Sequence, residues 1–441
     1  MTKAIRRTLA AVVALAIATP LAAQQTNPSA ASVGLGDSYT AMARGLSAIR
    51  WNPAGLAMPG TSGFAISVLP VVGMAGLDPV SLGDIAEYED TIIPNNVKQE
   101  WLDEIIEEGG QAGNGGAGLT YIATNIGRVG FQLGTSTVAT ANVSPGIARL
   151  LLFGNADGDS AIDVTAEGSE MNFGVVSTAA LSYAHPLTLS LGPLPDQHFA
   201  VGATVKYSIG HGLVSGFDAG SRASSDPLEI EVAFPMIISV APDSVVVNGD
   251  TIEAEEESAW NKGSGFGLDV GAAWQGGIFS AGVSIQNLIN TFSWNEDDMW
   301  YSPGEALFDS DTTDTNFDQV PLSEAPDAVR ERLDDLVFAP TFALAAAVDL
   351  PMVKVTGEIR HRAGEALTID SGTHVGVGAE FRPLGFLPIR AGVASVNGGF
   401  NLGAGIGLEF GVFNLNLAGS RRTSDLGTDV AGALSISFGG I

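Results

Sequence analysis

Residues 374–382 read HVGVGAEFR and residues 401–410 read NLGAGIGLEF; both runs alternate apolar side chains with small or polar ones. The same alternation recurs in residues 387–395, 412–421 and 434–438. Because successive side chains of a β-strand point to opposite faces, each run has one apolar face. The second face carries mostly Gly, Asn and Ser, whereas the polar face of a soluble sheet is rich in Lys, Glu and Thr. This pattern is typical of a membrane barrel, whose apolar face meets lipid.

The composition of the 441-residue chain agrees with such a barrel. It contains 56 Gly, only 16% charged residues, and its mean hydropathy is +0.24. Beyond the N-terminal stretch no apolar run approaches the ~20 residues that a membrane helix needs. Cysteine is absent, which excludes disulfides, thiolate metal sites and a Cys nucleophile. The net charge of −29 argues against nucleic acid as a partner.

The N-terminus has the layout of a secretory signal peptide. Lys3, Arg6 and Arg7 form a basic region, and the short apolar run from Leu9 to Ala18 follows. Cleavage after Ala23 would leave a mature chain that begins at residue 24. An N-terminal membrane anchor is the alternative, which the shortness of the apolar run disfavours.

Two short motifs follow this leader. They are Gly34-Leu35-Gly36-Asp37 and Trp51-Asn52-Pro53-Ala54-Gly55-Leu56. The stretch resembles the start of the long-chain fatty acid transporter (FadL-like) outer-membrane family, which includes PorV-type relatives. The resemblance implies that residues 24–60 form a hatch, or plug, inside a barrel of residues 61–441. The expected hatch motif is Gly34, Gly36, Asp37, Trp51, Asn52, Pro53 and Gly55. A Gly-rich turn followed by a short helix is the alternative interpretation.

The sequence therefore predicts an all-β fold, a transmembrane antiparallel β-barrel of about 14 strands with an N-terminal plug and long extracellular loops. The candidate strands are 62–70, 117–125, 129–138, 171–185, 197–210, 264–276, 278–287, 340–350, 352–362, 372–382, 387–395, 400–410, 412–421 and 429–438. Long connections follow odd-numbered strands and short turns follow even-numbered ones. An outer-membrane barrel sorts its loops in this way, whereas a soluble sandwich has no reason to do so.

The loops are acidic and contain further candidate elements. Residues 96–108 read as a short helix with an amphipathic face. The candidates for an apolar ligand groove at the barrel mouth are its side chains Trp101, Leu102, Ile105 and Ile106. Alternatively, the helix buries this apolar side within the loop. Residues 230–240 and 245–252 read as a β-hairpin.

Charged residues on the lumen-facing side of the strands need partners, because a buried charge is costly alone. We expect a lumen charge network of Arg44, Arg50, Lys354, Glu358, Arg360, Glu380, Arg382, Arg390 and Glu409. Within it we expect the pairs Glu358 with Arg382 and Arg390 with Glu409. The sequence favours a structural role for this network, anchoring the plug, over catalysis.

Signals for other chemistry are weak. Asn155, Asp157, Asp159 and Asp163 faintly resemble a calcium loop, but the loop Gly and final Glu are missing. His361 and His374 could be neighbours across a hairpin, which alone makes a poor metal site. No nucleophile elbow and no phosphate loop is present. We therefore expect no catalytic residues, no metal and no cofactor, and the chain is not expected to be an enzyme.

Two functions remain open. The first is passive transport of a hydrophobic or amphipathic, fatty-acid-like small molecule across the outer membrane, which the family resemblance implies. The second is a PorV-like role as a partner or shuttle of a protein secretion system. In either case the expected surroundings are membrane lipid and lipopolysaccharide of the cell outer membrane, and the expected state is a monomer.

Overall fold

The computed structural model describes residues 29–89, 91–154, 156–157, 160–161, 163–189, 194–225, 228–240, 244–247, 250–253, 260–309, 312–364, 371–396, 399–424 and 427–439. The expected signal peptide, residues 1–23, lies outside these residues, as do Asn155 and Asp159 of the weak calcium pattern.

Fourteen antiparallel strands form one closed barrel. Each strand pairs with the next along the chain, and the last pairs with the first through Ile66 opposite Phe438. The strands are β1 (Phe64–Val68 and Val71–Asp78), β2 (Gln111–Ile126), β3 (Val129–Val143), β4 (Glu170–Leu187), β5 (His198–Phe217), β6 (Gly263–Gly276), β7 (Phe279–Asn290), β8 (Thr341–Asp349), β9 (Val353–Arg362), β10 (Gly372–Leu384), β11 (Leu387–Val396), β12 (Gly399–Phe410), β13 (Phe413–Ser424) and β14 (Gly427–Gly439).

The two faces of the wall differ as the alternation predicts. On β10, Val375, Val377 and Phe381 are exposed on the outside, whereas His374 and Glu380 are buried on the inside. The same contrast holds along the neighbouring strands. The predicted fold class is therefore confirmed, with long connections at one end of the barrel and short turns at the other.

The first strand differs from the prediction. It does not end at residue 70 but continues as Val71–Asp78, which pairs with both β2 and β14. Its ladder breaks at Leu69, which has a positive φ of 52°, and at Pro70, which has no N–H to donate. The sequence shows only the proline; because the break lies inside one strand, it was mistaken for the end of the strand.

The strands β2 to β5 are also longer than predicted. They contain 16, 15, 18 and 20 residues, whereas a membrane-spanning strand needs about 9–11. In β2, β3 and β5 most of the additional residues lie on the long-loop side, whereas β4 gains Pro186 and Leu187 at the short-turn side; each strand still pairs with its neighbour there.

The long connections carry the remaining elements. Their helices are Leu82–Glu87, Asn95–Glu107, Pro145–Phe153 and Asp327–Asp335, with 3-10 turns Glu296–Asp298 and Leu322–Glu324. Their strands are Ala156–Asp157, Ser160–Ala161, Val164–Thr165, Arg222–Ser225, Leu228–Ala233, Met236–Ile238, Ser244–Val247, Asp250–Glu253, Ser293–Trp294, Trp300–Ser302, Glu305–Phe308, Thr313–Asn316 and Val320–Pro321. None of the helices in the described ranges is both long and apolar enough to cross a membrane.

The predicted hairpin between residues 230–240 and 245–252 is wrong. Leu228–Ala233 instead pairs with Arg222–Ser225 and with Glu305–Phe308, inside a small five-stranded sheet. Ser244–Val247 forms its own hairpin with Asp250–Glu253. Both predicted segments contain strands, but Leu228–Ala233 pairs with a strand from a distant loop, and the segment predicted as a single strand lies within a local hairpin.

Candidate functional site in the barrel lumen

The N-terminal segment, residues 29–60, lies against the inner face of the wall. Ala30 shares a buried cluster with Ala433 of β14, and Ala54 shares one with Ala200 of β5. No residue from 30 to 58 is exposed. The segment consists of the short helices Ala30–Gly34 and Ala48–Trp51 and the 3-10 turns Gly45–Ser47 and Pro53–Ala57. Its contacts on well-separated strands place it across the lumen.

Glycines of the wall allow the segment to approach closely. A Cβ added at Gly392 would overlap the carbonyl of Leu35, and one added at Gly403 would overlap the carbonyl oxygen of Val33. A Cβ at Gly378 would lie 2.8 Å from Leu35 O, again too close. The glycine-rich face of the strands, which the sequence predicts to line the lumen, is therefore the surface that the first motif contacts.

The second motif is fixed by Asn52. Its Oδ1 accepts a hydrogen bond from Ala54 N at 3.2 Å and so caps the turn Pro53–Ala57. Its Nδ2 donates to the Ala272 carbonyl of β6 at 3.0 Å. A Cβ at Gly271 would overlap the Asn52 side chain. One residue thus both shapes the segment and attaches it to the wall.

Trp51 is buried between two guanidinium groups. Arg50 lies 5.1 Å from the ring centroid and Arg360 of β9 lies 5.0 Å from it. Tyr39 meets the indole edge-on at 6.0 Å. Gln286 of β7 donates to the Arg50 carbonyl at 2.8 Å. Cation–π contacts of this kind gain strength when desolvated, so they help to hold the segment.

Glu358 of β9 binds the backbone of the segment directly. Its Oε2 accepts hydrogen bonds from Tyr39 N and Thr40 N, each at 2.8 Å. Its Oε1 lies 3.3 Å from Arg360 Nη1, and the Glu358 side chain is fully buried. Bonds from backbone N–H groups to a charged acceptor are among the stronger ones in proteins. This carboxylate is therefore the main polar attachment of the segment.

A second ion-pair network lies nearer the short turns. Arg382 contacts Glu380 at 2.7 Å and Glu409 at 2.6 Å, while Arg390 contacts Glu380 at 2.7 Å and Glu409 at 3.7 Å. Arg390 also donates to Asn416 Oδ1 at 2.7 Å. The expected proximity of Arg390 and Glu409 is thus present.

The expected pair of Glu358 with Arg382 is wrong. In the register of β9 and β10, Glu358 lies opposite Gly376, whereas Arg382 lies six residues farther along, beyond Glu380. Glu358 therefore pairs with Arg360 on its own strand. The alternation pattern predicts that both residues face the lumen, but it does not reveal the register that separates them.

Two further members of the expected network lie apart from it. Lys354 pairs with Asp349 at 2.9 Å, and both are partly exposed. Arg44 donates to the carbonyls of Ala43 and Pro59, within the segment itself. Neither makes an ion pair with the Glu380 network among the described contacts.

The two candidate histidines lie on opposite faces. His361 Nδ1 contacts Thr373 Oγ1 on the outside at 2.9 Å. His374 lies opposite Arg360, and its Nε2 contacts Ser38 Oγ at 3.3 Å on the inside. Among the residues that the structure describes, no cluster of three or more His, Asp or Glu could hold a metal ion.

A cavity of about 470 Å³ opens below the segment on the short-turn side. It is lined by Tyr39 of the segment, by Arg382 and Glu409 of the ion-pair network, and by Ser67 and Pro70 of β1. The cavity thus reaches the break in the first strand. The residues that line the cavity are polar next to the ion-pair network and mostly small elsewhere.

The other end of the lumen is closed by the long connection between β7 and β8. Trp294, Leu333 and Phe338 of this loop pack in one apolar cluster with the inward-facing Val138 and Val176. Trp294 Nε1 donates to a carbonyl of the same loop at 2.7 Å. The lumen is therefore blocked by loop residues above and by the segment in its middle.

The four groove candidates do not share one open surface. Trp101, Leu102 and Ile105 are buried in a cluster with Ala148 of the neighbouring loop, whereas Ile106 is 54% exposed. Helix Pro145–Phe153 thus covers the apolar face of helix Asn95–Glu107. Burial, together with nearby acidic side chains, raises the pKa of Glu104 on the latter helix. A ligand role for this region stays a prediction.

Sequence reasoning missed Leu35, Tyr39 and Thr40 as contact residues of the site. Leu35 is fully buried against the wall glycines, and the other two act through their backbone N–H groups. Backbone donors leave no residue-type signal. The match between a glycine-rich wall and a motif rich in small residues was the one signal that could have indicated the contact.

Comparison with known proteins gives a family and a fold. The model of a family of unknown function (DUF5723) matches residues 74–419. Among curated proteins, no sequence matches.

Three solved structures are similar at 11% identity each. The TodX deltaS2S3 mutant monoaromatic hydrocarbon channel has a TM-score of 0.53, with 94% of this chain and 100% of that chain covered. The Ralstonia pickettii toluene transporter TbuX has a TM-score of 0.49, with 94% and 99% covered. The Pseudomonas putida toluene transporter TodX has a TM-score of 0.49, with 95% and 100% covered. At this identity the first similarity supports the barrel fold.

Proposed function

The chain belongs to the family of unknown function DUF5723, and on that premise we propose that it carries hydrophobic or amphipathic small molecules passively across the outer membrane. The observation that carries the proposal is a lumen filled by the chain's own N-terminal segment inside a wall that is apolar on its outside. The fold shared with a hydrocarbon channel supports it. We also propose that residues 24–60 act as the hatch and that residues 1–23 are removed as a signal peptide.

Two groups of residues lie in the path of a ligand through the lumen, and both affect how it could pass. An aqueous pore would leave a continuous polar channel, but here the loop cluster around Trp294 and the segment around Leu35 interrupt the lumen. A small ligand therefore needs the segment to move or the wall to open. Passive movement of an apolar solute requires no energy source, because the solute partitions between water, barrel and lipid.

The break in β1 supports a sideways exit. At Leu69 and Pro70 the ladder toward β14 is interrupted, since Ser67 pairs with Ser437 and the next pair is Val71 with Leu434. The cavity below the segment reaches this break. A ligand released from the segment would meet the least firmly paired part of the wall and could pass into lipid.

Reconstitution tests the proposal. Liposomes that contain the purified, refolded barrel should take up labelled oleate faster than liposomes without protein. Equal rates with and without the barrel would refute transport of this class.

Because the chain has no Cys, a disulfide between Ala54→Cys and Ala200→Cys can tether the segment to β5 without side reactions. If the hatch must move, uptake stops in the oxidised pair and returns on reduction, while each single variant is unaffected.

The secretion-partner alternative has its own test. Affinity purification from cells would yield a stable complex with a secretion component if the barrel serves such a machine. Membrane fractionation in the same experiment tests the proposed location, which predicts the protein in the outer-membrane fraction.

A further inference from the structure

A row of hydrogen-bonded polar side chains crosses the outer face of β2 to β5. Tyr121 Oη lies 2.7 Å from Thr135 Oγ1, and Thr135 Oγ1 lies 2.5 Å from Ser177 Oγ. Ser177 Oγ lies 2.7 Å from His211 Nε2, and His211 Nδ1 lies 3.2 Å from the carbonyl oxygen of Trp260. We call Tyr121, Thr135, Ser177 and His211 the outer polar row.

Both ends of the row are β-bulges. Tyr121 is the extra residue in β2, because Thr120 and Ile122 pair with the consecutive residues Gly134 and Leu133. His211 is the extra residue in β5, because its two neighbours pair with consecutive residues of β4. A bulge re-aims a side chain, and bulges are enriched beside functional sites. Because two bulges bring four polar side chains into one row, we interpret the row as a specific feature of the wall and not as an irregularity.

The row lies in an apolar setting. Leu181 and Val205, on the same face of the same strands, are more than half exposed. By contrast, the outward side chains in the middle of β10 and β12 are aliphatic, as Val377 and Leu402 illustrate. A membrane barrel has an apolar band on its outer face, so a hydrogen-bonded polar row beside exposed aliphatic side chains departs from that pattern. The row therefore needs an explanation that packing alone does not supply.

The carbonyl at one end of the row orients its bonds. The Trp260 carbonyl can only accept, so His211 donates to it from Nδ1, and an imidazole with its single ring hydrogen on Nδ1 accepts from Ser177 at Nε2. The Ser177 hydroxyl hydrogen is then used, so Thr135 donates to Ser177, and Tyr121 donates to Thr135 in turn. The row thus ends at Tyr121 Oη, which donates its hydrogen to Thr135 and can still accept a hydrogen bond. Tyr121 is 43% exposed.

We propose that the outer polar row binds a bilayer lipid that carries a hydroxyl or amide N–H donor close to its acyl chain. The free acceptor at Tyr121 Oη receives this donor, while the flanking apolar side chains contact the chain. Trp260, which is 71% exposed and whose ring centroid lies 4.5 Å from that of His211 with the two planes tilted by 44°, supplies a further flat apolar surface at the other end of the row. This site is on the outside of the wall and is independent of the molecule transported.

Two probe lipids of equal chain length test the proposal. Monomyristoyl glycerol carries hydroxyl donors, and its dimethyl ether carries none. Native mass spectrometry of the detergent-solubilised full chain should show roughly threefold to tenfold more bound monomyristoyl glycerol than ether, the range expected for one hydrogen bond. Tyr121→Phe should reduce this preference to about one. Thr135→Val frees the Tyr121 hydroxyl to donate as well as accept, so it should raise ether binding.

A matched control removes a hydroxyl from the opposite part of the wall. Thr373→Val breaks the outer-face contact with His361 and should leave the preference unchanged. Retention of the heat-modifiable mobility of a folded barrel on gels shows that each variant is folded. Equal binding of both lipids to the wild-type chain, or an unchanged preference in Tyr121→Phe, overturns the proposal. So does a dimer that Tyr121→Phe dissociates, because the row would then join two copies.

Discussion

Replacement of Glu358 by Gln should loosen the N-terminal segment. The carboxylate accepts two backbone hydrogen bonds from Tyr39 and Thr40 through one oxygen, and it neutralises Arg360. Gln is nearly isosteric and keeps an acceptor oxygen, so both bonds can persist, but without the negative charge. The change therefore isolates the electrostatic part of the attachment.

The magnitude follows from the two bonds. A hydrogen bond to a charged group contributes about 1.5–3 kcal/mol, whereas a neutral one contributes about 0.5–1.5 kcal/mol. Each bond thus weakens by about 1 kcal/mol, and the segment is held about 2 kcal/mol less firmly. Since 1.4 kcal/mol corresponds to a factor of ten, the population of detached segment should rise roughly 30-fold. Both substitutions remove the ion pair with Arg360, but Glu358→Ala also removes the acceptor of both backbone bonds and should have a larger effect.

A buried cysteine measures this population. Ala41 is 2% exposed and packs with Ala345 and Ala347, so the reporter Ala41→Cys reacts with a maleimide only when the segment leaves the wall. Glu358→Gln should raise the labelling rate roughly 30-fold. The control Glu170→Gln, at a half-exposed carboxylate near Arg332, should change it little. An equal effect of both substitutions, or none at Glu358, would refute the assignment of Glu358 as the attachment.

Three further predictions test other contacts. Gly392→Ala should displace Leu35 and raise Ala41→Cys labelling at least as much as Glu358→Gln, whereas Gly432→Ala, whose added Cβ meets nothing within 4 Å, should not. Asn52→Ala removes a cap and a wall bond, so proteolysis within residues 53–60 should become faster, by a factor that corresponds to about 1–2 kcal/mol. In the first long loop, bonds from the Ser81 hydroxyl and N–H hold the pKa of Asp84 below its usual value. This stabilisation is present above the unfolded pKa and is lost as the pH falls through the lower folded one. Amide protection of residues 82–87 should therefore fall progressively as the pH is lowered below about 5, and Asp84→Asn should remove that pH dependence.

The strand pattern could be predicted from the sequence because contact with lipid on one face of each strand requires alternating apolar side chains. Each wall residue faces either hydrocarbon or lumen, so Val375 and Glu380 reveal their sides by type alone. The ends of β2 to β5 and the break at Pro70 could not be predicted, because continued pairing at the strand ends and a local kink leave no such contrast. Residues 230–240 and 245–252 were likewise predicted as strands but joined to the wrong partners, and the other loop strands were not predicted.

The candidate site divides in the same way. The short N-terminal motifs and the inward-facing charges could be singled out by residue type, whereas their contacts depend on register. Arg390 lies near Glu409 because neighbouring strands bring them together, while Glu358 and Arg382 are separated by six positions along β10. Backbone donors such as Thr40 N are invisible to any reading of side chains.

The amino-acid sequence alone determined that this chain forms a membrane-type barrel of fourteen strands, because the period of two is a property of each strand by itself. Only the tertiary structure decided which groups meet inside and outside that wall. Contacts such as Glu358 with Tyr39 N, or Tyr121 with Thr135, join residues far apart in the chain or displaced by a bulge. Register, bulges and close approach at glycine are set by the closed sheet as a whole, and no single segment encodes them.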